Sequence, residues 1–228
     1  MSTQNYGLSD WDQKQGRAAS QISDEERVPF LRLKDGNNIL RIITLPYRYN
    51  MVRFKASPDE KGYGHRINCS WPLEDCPAVK AVGGKAKERY FVGVIDRSDN
   101  QVKIFDMSVL VYQQLQGIKD DIEYGSPDKF DINVRMNSKS PPAGFYTVLP
   151  RGKAPLSEAD VALRNEKIES LEAQLTRLST PPKAETVKKR LEEFGYTGGV
   201  VDASNESEAL PAADDEDYSF GGQVPAQA

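Results

Sequence analysis

The sequence predicts a mostly β protein: a small antiparallel barrel with small helices, then a helical hairpin and an acidic C-terminal tail. Three observations lead there. Alternating apolar and charged runs broken by turn residues fill residues 27–153. From Ser157 the apolar period changes from that of a strand to that of a helix. After Arg190 the chain has no basic residue. These shifts divide it into a flexible N-terminal arm (1–26), a β core (27–153), a helical hairpin (154–196) and a disordered tail (197–228).

The core opens at residues 30–55, FLRLKDGNNILRIITLPYRYNMVRFK. Asp35-Gly36 between two apolar runs predicts a hairpin, because glycine accepts the positive φ of a tight turn. Residues 77–88 predict a short helix broken at Gly83-Gly84. Residues 89–96 and 101–106 predict two strands joined by Arg97-Ser98-Asp99-Asn100, followed by a helix over 107–116 closed by Gly117. Residues 128–136 and 144–149 predict two more strands around a polar loop. Six or seven short strands with small helices suit an oligonucleotide/oligosaccharide-binding (OB) fold, with a sandwich as the alternative.

In the C-terminal part, Ile168, Leu171, Leu175 and Leu178 fall on one helical stripe, and Ser157 with Asp160 forms a capping box. Thr180-Pro181-Pro182 ends that helix. Val187, Leu191 and Phe194 make the apolar face of a second one, stopped by Gly195. The pair is expected to pack on itself or on the barrel. In the N-terminal arm, Trp11 is the one feature suited to docking on a neighbouring subunit.

Composition narrows the function. Two cysteines make no disulfide framework and fit a reducing, intracellular setting. No apolar run approaches membrane-spanning length, so no membrane association is expected. With a single histidine, His65, hydrolase triads and most metal sites have little to build on, and no enzyme activity is expected. The net charge of −4 hides a segregation: residues 27–153 carry +7, residues 1–26 carry −3 and residues 154–228 carry −8. A basic middle with an acidic end is an interaction signature.

Basic residues mixed with rings suit a single-stranded nucleic acid, since cations pair with phosphates and rings stack on bases. Candidate phosphate contacts are Arg32, Lys34, Arg41, Arg48, Arg53, Lys55, Lys85, Lys87 and Arg89. Candidate stacking rings are Tyr47, Tyr49, Phe54, Tyr63, Trp71, Tyr90 and Phe105. Strand alternation lets only about half of this pool face one side, so several must be core. An ordinary sheet with a basic solvent face is the plainer account. His65, Cys69 and Cys76 would be zinc ligands if any metal were held, but the fourth is missing, and two buried thiols are the expectation, with no cofactor. In the tail, Asp214, Asp215, Glu216 and Asp217, followed by Tyr218 and Phe220, are the candidate partner-binding residues.

The run Phe30-Leu31-Arg32-Leu33-Lys34-Asp35-Gly36, followed by Ile39-Leu40-Arg41-Ile42 and Leu45-Pro46, resembles the core-domain opening of the T-even bacteriophage single-stranded DNA-binding (helix-destabilising) proteins. Cys69 with Asp75-Cys76-Pro77 looks like that family's zinc loop. Val102-Lys103-Ile104-Phe105, Glu123-Tyr124-Gly125 and Phe130-Asp131-Ile132 resemble its later strands. The likeness covers about residues 28–150. It implies an OB barrel, cooperative binding of single-stranded DNA, and an acidic tail recruiting replication or recombination proteins, in the cytoplasm of an infected bacterial host cell. The chain departs from the pattern where the zinc motif ends in Cys-Pro-x-Cys, because Val79 stands at the last position. It also has Met51 and Val52 where the family's histidine lies, and an acidic arm in place of the basic cooperativity segment.

The expectation is therefore a non-catalytic protein that coats and protects single-stranded DNA in phage replication, recombination and repair. One alternative is an OB-fold protein-interaction adaptor of a replication or transcription complex. Another is a small nuclease using Asp96, Asp99 and Asp106.

Overall fold

Among the described residues, seven strands and four α-helices follow one another. In order they are β1 (Gly36–Ile42), β2 (Tyr47–Phe54), β3 (His65–Cys69), α1 (Pro77–Val82), β4 (Lys87–Asp96), β5 (Gln101–Ser108), α2 (Val109–Asp120), β6 (Phe130–Met136), β7 (Tyr146–Lys153), α3 (Glu158–Ser179) and α4 (Ala184–Glu193). This computed structural model describes residues 27–54, 65–70, 72–83, 85–140 and 144–195. The N-terminal arm and the acidic tail lie outside the described residues.

All strand pairings are antiparallel, in the order β3-β2-β4-β1-β6-β7, with β5 along the other edge of β4. β4 organises the sheet: its first half pairs with β2, its end with β1, and Arg89 to Asp96 with β5. Among the described residues the path does not close on itself. At the open edge of β7, Gln114 of α2 receives the Val148 N–H (2.8 Å) and donates to the Tyr146 carbonyl (3.2 Å), so a side-chain amide satisfies backbone groups there.

One face of the sheet packs Leu40, Val92, Val94, Phe105, Phe130, Ile132 and Val134 against α2. The other packs Tyr47, Tyr49, Met51, Phe91, Ile95 and Ile104 against Leu171 and Leu175 of α3. A third cluster joins Val52, Phe54 and Ile67 to α1 and to Val187 and Leu191 of α4.

The structure corrects three expectations. Residues 30–34 form no hairpin with β1, because β4 and β6 already flank β1. Phe30 instead bridges Ile104 of β5 in parallel, and Asn38 fixes the turn by bonding both the N–H and the carbonyl of Lys34. β5 runs to Ser108, whose hydroxyl caps α2 by accepting from the Val111 N–H, so the strand-to-helix switch falls at a serine. α2 then passes through Gly117 because Ile118 beyond it packs on the core. Of the two packings open to the C-terminal helices, α3 takes the one on the sheet, lying on β2, β4 and β5, while α4 lies on α1.

The stripe and the capping box of α3 form as expected, with Ser157 and Asp160 bonding reciprocally. Arg97, in the β4–β5 turn, holds Asp160 through two hydrogen bonds (2.6 and 3.0 Å) and also binds Asp131. Deeper along the helix, the buried Gln174 side chain bonds both the N–H and the carbonyl of Val28, each at 2.9 Å. These contacts fasten the first turn of α3 to the β4–β5 turn and the middle of its buried stripe to the segment that precedes β1.

Candidate nucleic-acid interface

Cross-strand register decides which cations share a face, because directly opposed residues of an antiparallel pair point the same way. Tyr49 lies opposite Arg89, Met51 opposite Lys87, and Arg53 opposite Arg66. These residues therefore stand on the face that carries α3. That helix covers Tyr47, Tyr49 and Met51, and its last turn meets β3 where Asn68 Nδ2 donates to the Leu178 carbonyl at 2.6 Å. Beyond that point the face carries Arg53, Arg66 and Lys87. Lys87 is exposed, Arg53 and Arg66 are half-buried, and Arg89 is buried.

Asp106 of β5 anchors this face from beneath. It is 5% exposed and accepts from Tyr49 Oη (2.8 Å), Arg89 Nε (2.8 Å) and Arg66 Nη1 (3.2 Å). Arg89 Nη2 also donates to its carbonyl at 3.1 Å. Burial, and then the Asp106 charge, push the Tyr49 phenol well above its ordinary range, so it stays a neutral donor. Tyr49 stacks on Phe91 at 4.2 Å and 4°, and the Arg66 guanidinium passes 6.0 and 5.9 Å from their two ring centres.

Several predicted contacts lie elsewhere. Arg41 is 2% exposed; its Nε donates to Asp131 (2.6 Å) and its Nη1 to the Ala154 carbonyl (3.0 Å), so it is an internal tie and no phosphate contact. Arg89 is likewise committed to Asp106. Arg48 is exposed but points to the opposite face, paired with Glu88 at 2.6 Å. Arg32 and Lys34 are exposed, yet Asn38 ties the Lys34 backbone to the β6 side through the Val134 carbonyl, away from Arg53. Lys85 is exposed just before β4.

The rings are corrected more sharply. Tyr47, Tyr49, Phe54, Tyr90 and Phe105 are all buried at 5% exposure or less. Tyr47 and Tyr49 pack under α3, Phe54 packs edge-on to Phe194, Tyr90 stacks on Tyr112 at 3.7 Å, and Phe105 is in the main core. None of them presents a face to a base. Tyr63, Trp71 and Lys55 lie outside the described residues, as do Asp214, Asp215, Glu216, Asp217, Tyr218 and Phe220. Sequence reasoning missed Arg66. The alternation of Arg66 and Asn68 with the apolar Ile67 and Cys69 was the signal that would have found it.

For metal, His65 stacks on Phe194 at 3.8 Å, and Cys69 and Cys76 are buried free thiols in the third cluster. Burial first, then the Cys76 side chain, push the Cys69 thiol up to about 12. No group of three or more His, Cys, Asp or Glu able to hold a metal occurs among the described residues. The nuclease trio does not converge either: Lys103 Nζ bridges Asp96 and Asp99 (2.7 and 2.5 Å), while Asp106 serves Arg89. No described helix is long and apolar enough to cross a membrane. The sequence matches no protein-family model and no curated protein.

Proposed function

We propose that this chain is a non-catalytic single-stranded DNA-binding protein that coats and protects DNA in phage replication, recombination and repair. The observation that carries the reading is the set Arg53, Arg66 and Lys87, gathered by register on one face beyond the end of α3. A run of cations on a sheet face suits a phosphodiester backbone, and a sheet of this size suits a single strand.

In this reading β1 and β2 act as one bent first strand of an OB barrel, since both pair with the same side of β4. β4, β5, β6 and β7 supply the others, with α2 between β5 and β6 in the position usual for that fold. Because α3 lies over the middle of the β4–β5 face, the strand runs beside the helix, along Lys85, Lys87, Arg53 and Arg66. The acidic residues 214–217 serve replication or recombination partners, and the protein works in the cytoplasm of an infected bacterial cell.

Titration of the pure protein with oligo-dT and with duplex DNA tests the reading. Salt-sensitive binding that favours the single strand is expected. Failure to bind either, with binding to a replication protein instead, would favour an adaptor role.

A further inference from the structure

The Arg66 side chain takes an unusual course. It starts on β3 and ends on a β5 carboxylate, although β2 and β4 stand between those two strands in the sheet order. Along the way it passes over the Tyr49 and Phe91 rings, which are themselves stacked and held by α3. An arginine laid over two fixed rings, with its tip on a buried acceptor, has lost most of its rotamer freedom before any ligand arrives. Asp106 is itself fixed by Arg89 and Tyr49.

A second observation concerns placement. Arg53 and Arg66 are directly opposed across β2 and β3, so the register sets two cations side by side on this face. Tyr49, Arg89 and Arg66, three partners of Asp106, also differ. Arg89 is buried to the same degree as the carboxylate (7% each), whereas Arg66 is 23% exposed and makes the longest of the three bonds. Arg89 and Tyr49 hold the acid; Arg66 is the partner that reaches solvent.

We infer that Arg66 is a phosphodiester contact of the cationic face, and that Asp106 positions it by holding its guanidinium across the Tyr49–Phe91 pair. This rests on the single-strand-binding reading and names the residue pair through which that face is preorganised. The ligand class is a phosphate of a nucleic-acid backbone, approached by the solvent side of the guanidinium while the buried side stays on the acid.

Binding of labelled oligo-dT across a salt series, with thermal unfolding of every variant, tests it. Arg66→Gln is expected to lower affinity about tenfold, the scale of one charge-assisted hydrogen bond, and to flatten the log–log salt slope by about 0.7. Arg66→Lys keeps the charge and hence the slope, but cannot lie as a fork between rings and acid, so its affinity falls by about threefold. Asp106→Glu is expected to cost as much as Arg66→Lys without changing the slope, and to add nothing in the Arg66→Lys background. Asp106→Asn would leave the buried Arg89 charge unmatched, so Asp106→Glu is the variant that keeps the test usable. Wild-type affinity and slope in Arg66→Gln, where the parent binds, would overturn the role of Arg66 and leave the wider reading standing. Equal losses from Asp106→Glu in both backgrounds would overturn the positioning role. A parent protein that does not bind oligo-dT would remove both.

Discussion

Gly93 of β4 lies directly beneath Leu171 of α3: a Cβ at position 93 would come within 2.5 Å of Leu171 Cδ2 and 2.9 Å of Thr44 Cγ2. The glycine is a notch that lets the helix reach the sheet. The same residue's N–H donates to Thr44 Oγ1 at 2.8 Å, so the strand backbone has little room to retreat.

Gly93→Ala should therefore destabilise the protein by about 1–3 kcal/mol through overpacking, read by chemical denaturation. Adding Leu171→Ala should relieve part of the clash, making the double variant less damaged than the sum of the singles. A Gly93→Ala protein as stable as the parent would mean that α3 does not sit on β4.

The Arg97–Asp160 pair gives α3 an acid-labile dock. The Arg97 guanidinium is the main reason the Asp160 carboxyl titrates at about 2 instead of 3.8, against a smaller opposing effect of burial. Because the folded pKa is depressed, the stabilisation is complete above the unfolded value and is lost as pH falls through about 2. The shift corresponds to about 2 kcal/mol at neutral pH. Asp160→Asn keeps the cap oxygen but loses the charge pairing with Arg97, so its stability deficit should be near full at pH 6 and vanish towards pH 2. A deficit independent of pH would show that the loss is one of packing.

Much of the fold could be read from the sequence, because it depends on local periodicity and caps. The Ser157–Asp160 box, the Leu171/Leu175 stripe and the Gly83 stop of α1, at φ +65°, are all local signals. Partnership was not legible. Asp35-Gly36 looks like a hairpin whether or not a neighbouring strand has an edge to offer, and β1 had none left. The buried rings were misjudged for a related reason. Alternation says that Tyr47 and Tyr49 share a face, but only α3, more than a hundred residues later, decides that this face is covered. Arg41 and Arg89 read as surface cations because their counterions lie on other strands, half-buried Asp131 on β6 and buried Asp106 on β5.

That burial turns the stacking rings into a stability prediction. Phe105→Ala should cost about 3–5 kcal/mol of stability, and Tyr47→Ala a comparable amount, as core truncations do. Under conditions where such variants remain folded, their affinity for oligo-dT should match the parent's. A ten-fold affinity loss at unchanged stability would mark the ring as a base contact.

The thiols predict their own inertness. Native protein should react slowly with a thiol reagent at both Cys69 and Cys76, which are buried, and rapidly once unfolded; at Cys69 burial also pushes the thiol up to about 12. Dialysis against a chelator should leave the melting temperature unchanged. Stoichiometric zinc that survives dialysis, with unfolding on its removal, would instead point to Glu74 or Asp75 as a further ligand beside the two thiols.

The acidic run at 214–217 imitates a row of phosphates, with Tyr218 and Phe220 in place of bases. On the proposed reading it should compete with DNA for the cationic face. Removing residues 202–228 should raise affinity for a single strand at low salt, with the gain shrinking as salt screens the charges. Equal affinities of full-length and truncated protein across the salt range would leave the tail a solubilising role only.

Anisotropy of labelled oligo-dT, followed from low to high salt with duplex DNA of the same length beside it, bears most directly on the central claim. The account predicts tight binding of the single strand at low salt, weaker binding of the duplex, and a log–log slope of about −0.7 for each phosphate neutralised. Absent binding, or an affinity indifferent to salt, would contradict a cationic strand-binding face at Arg53, Arg66 and Lys87.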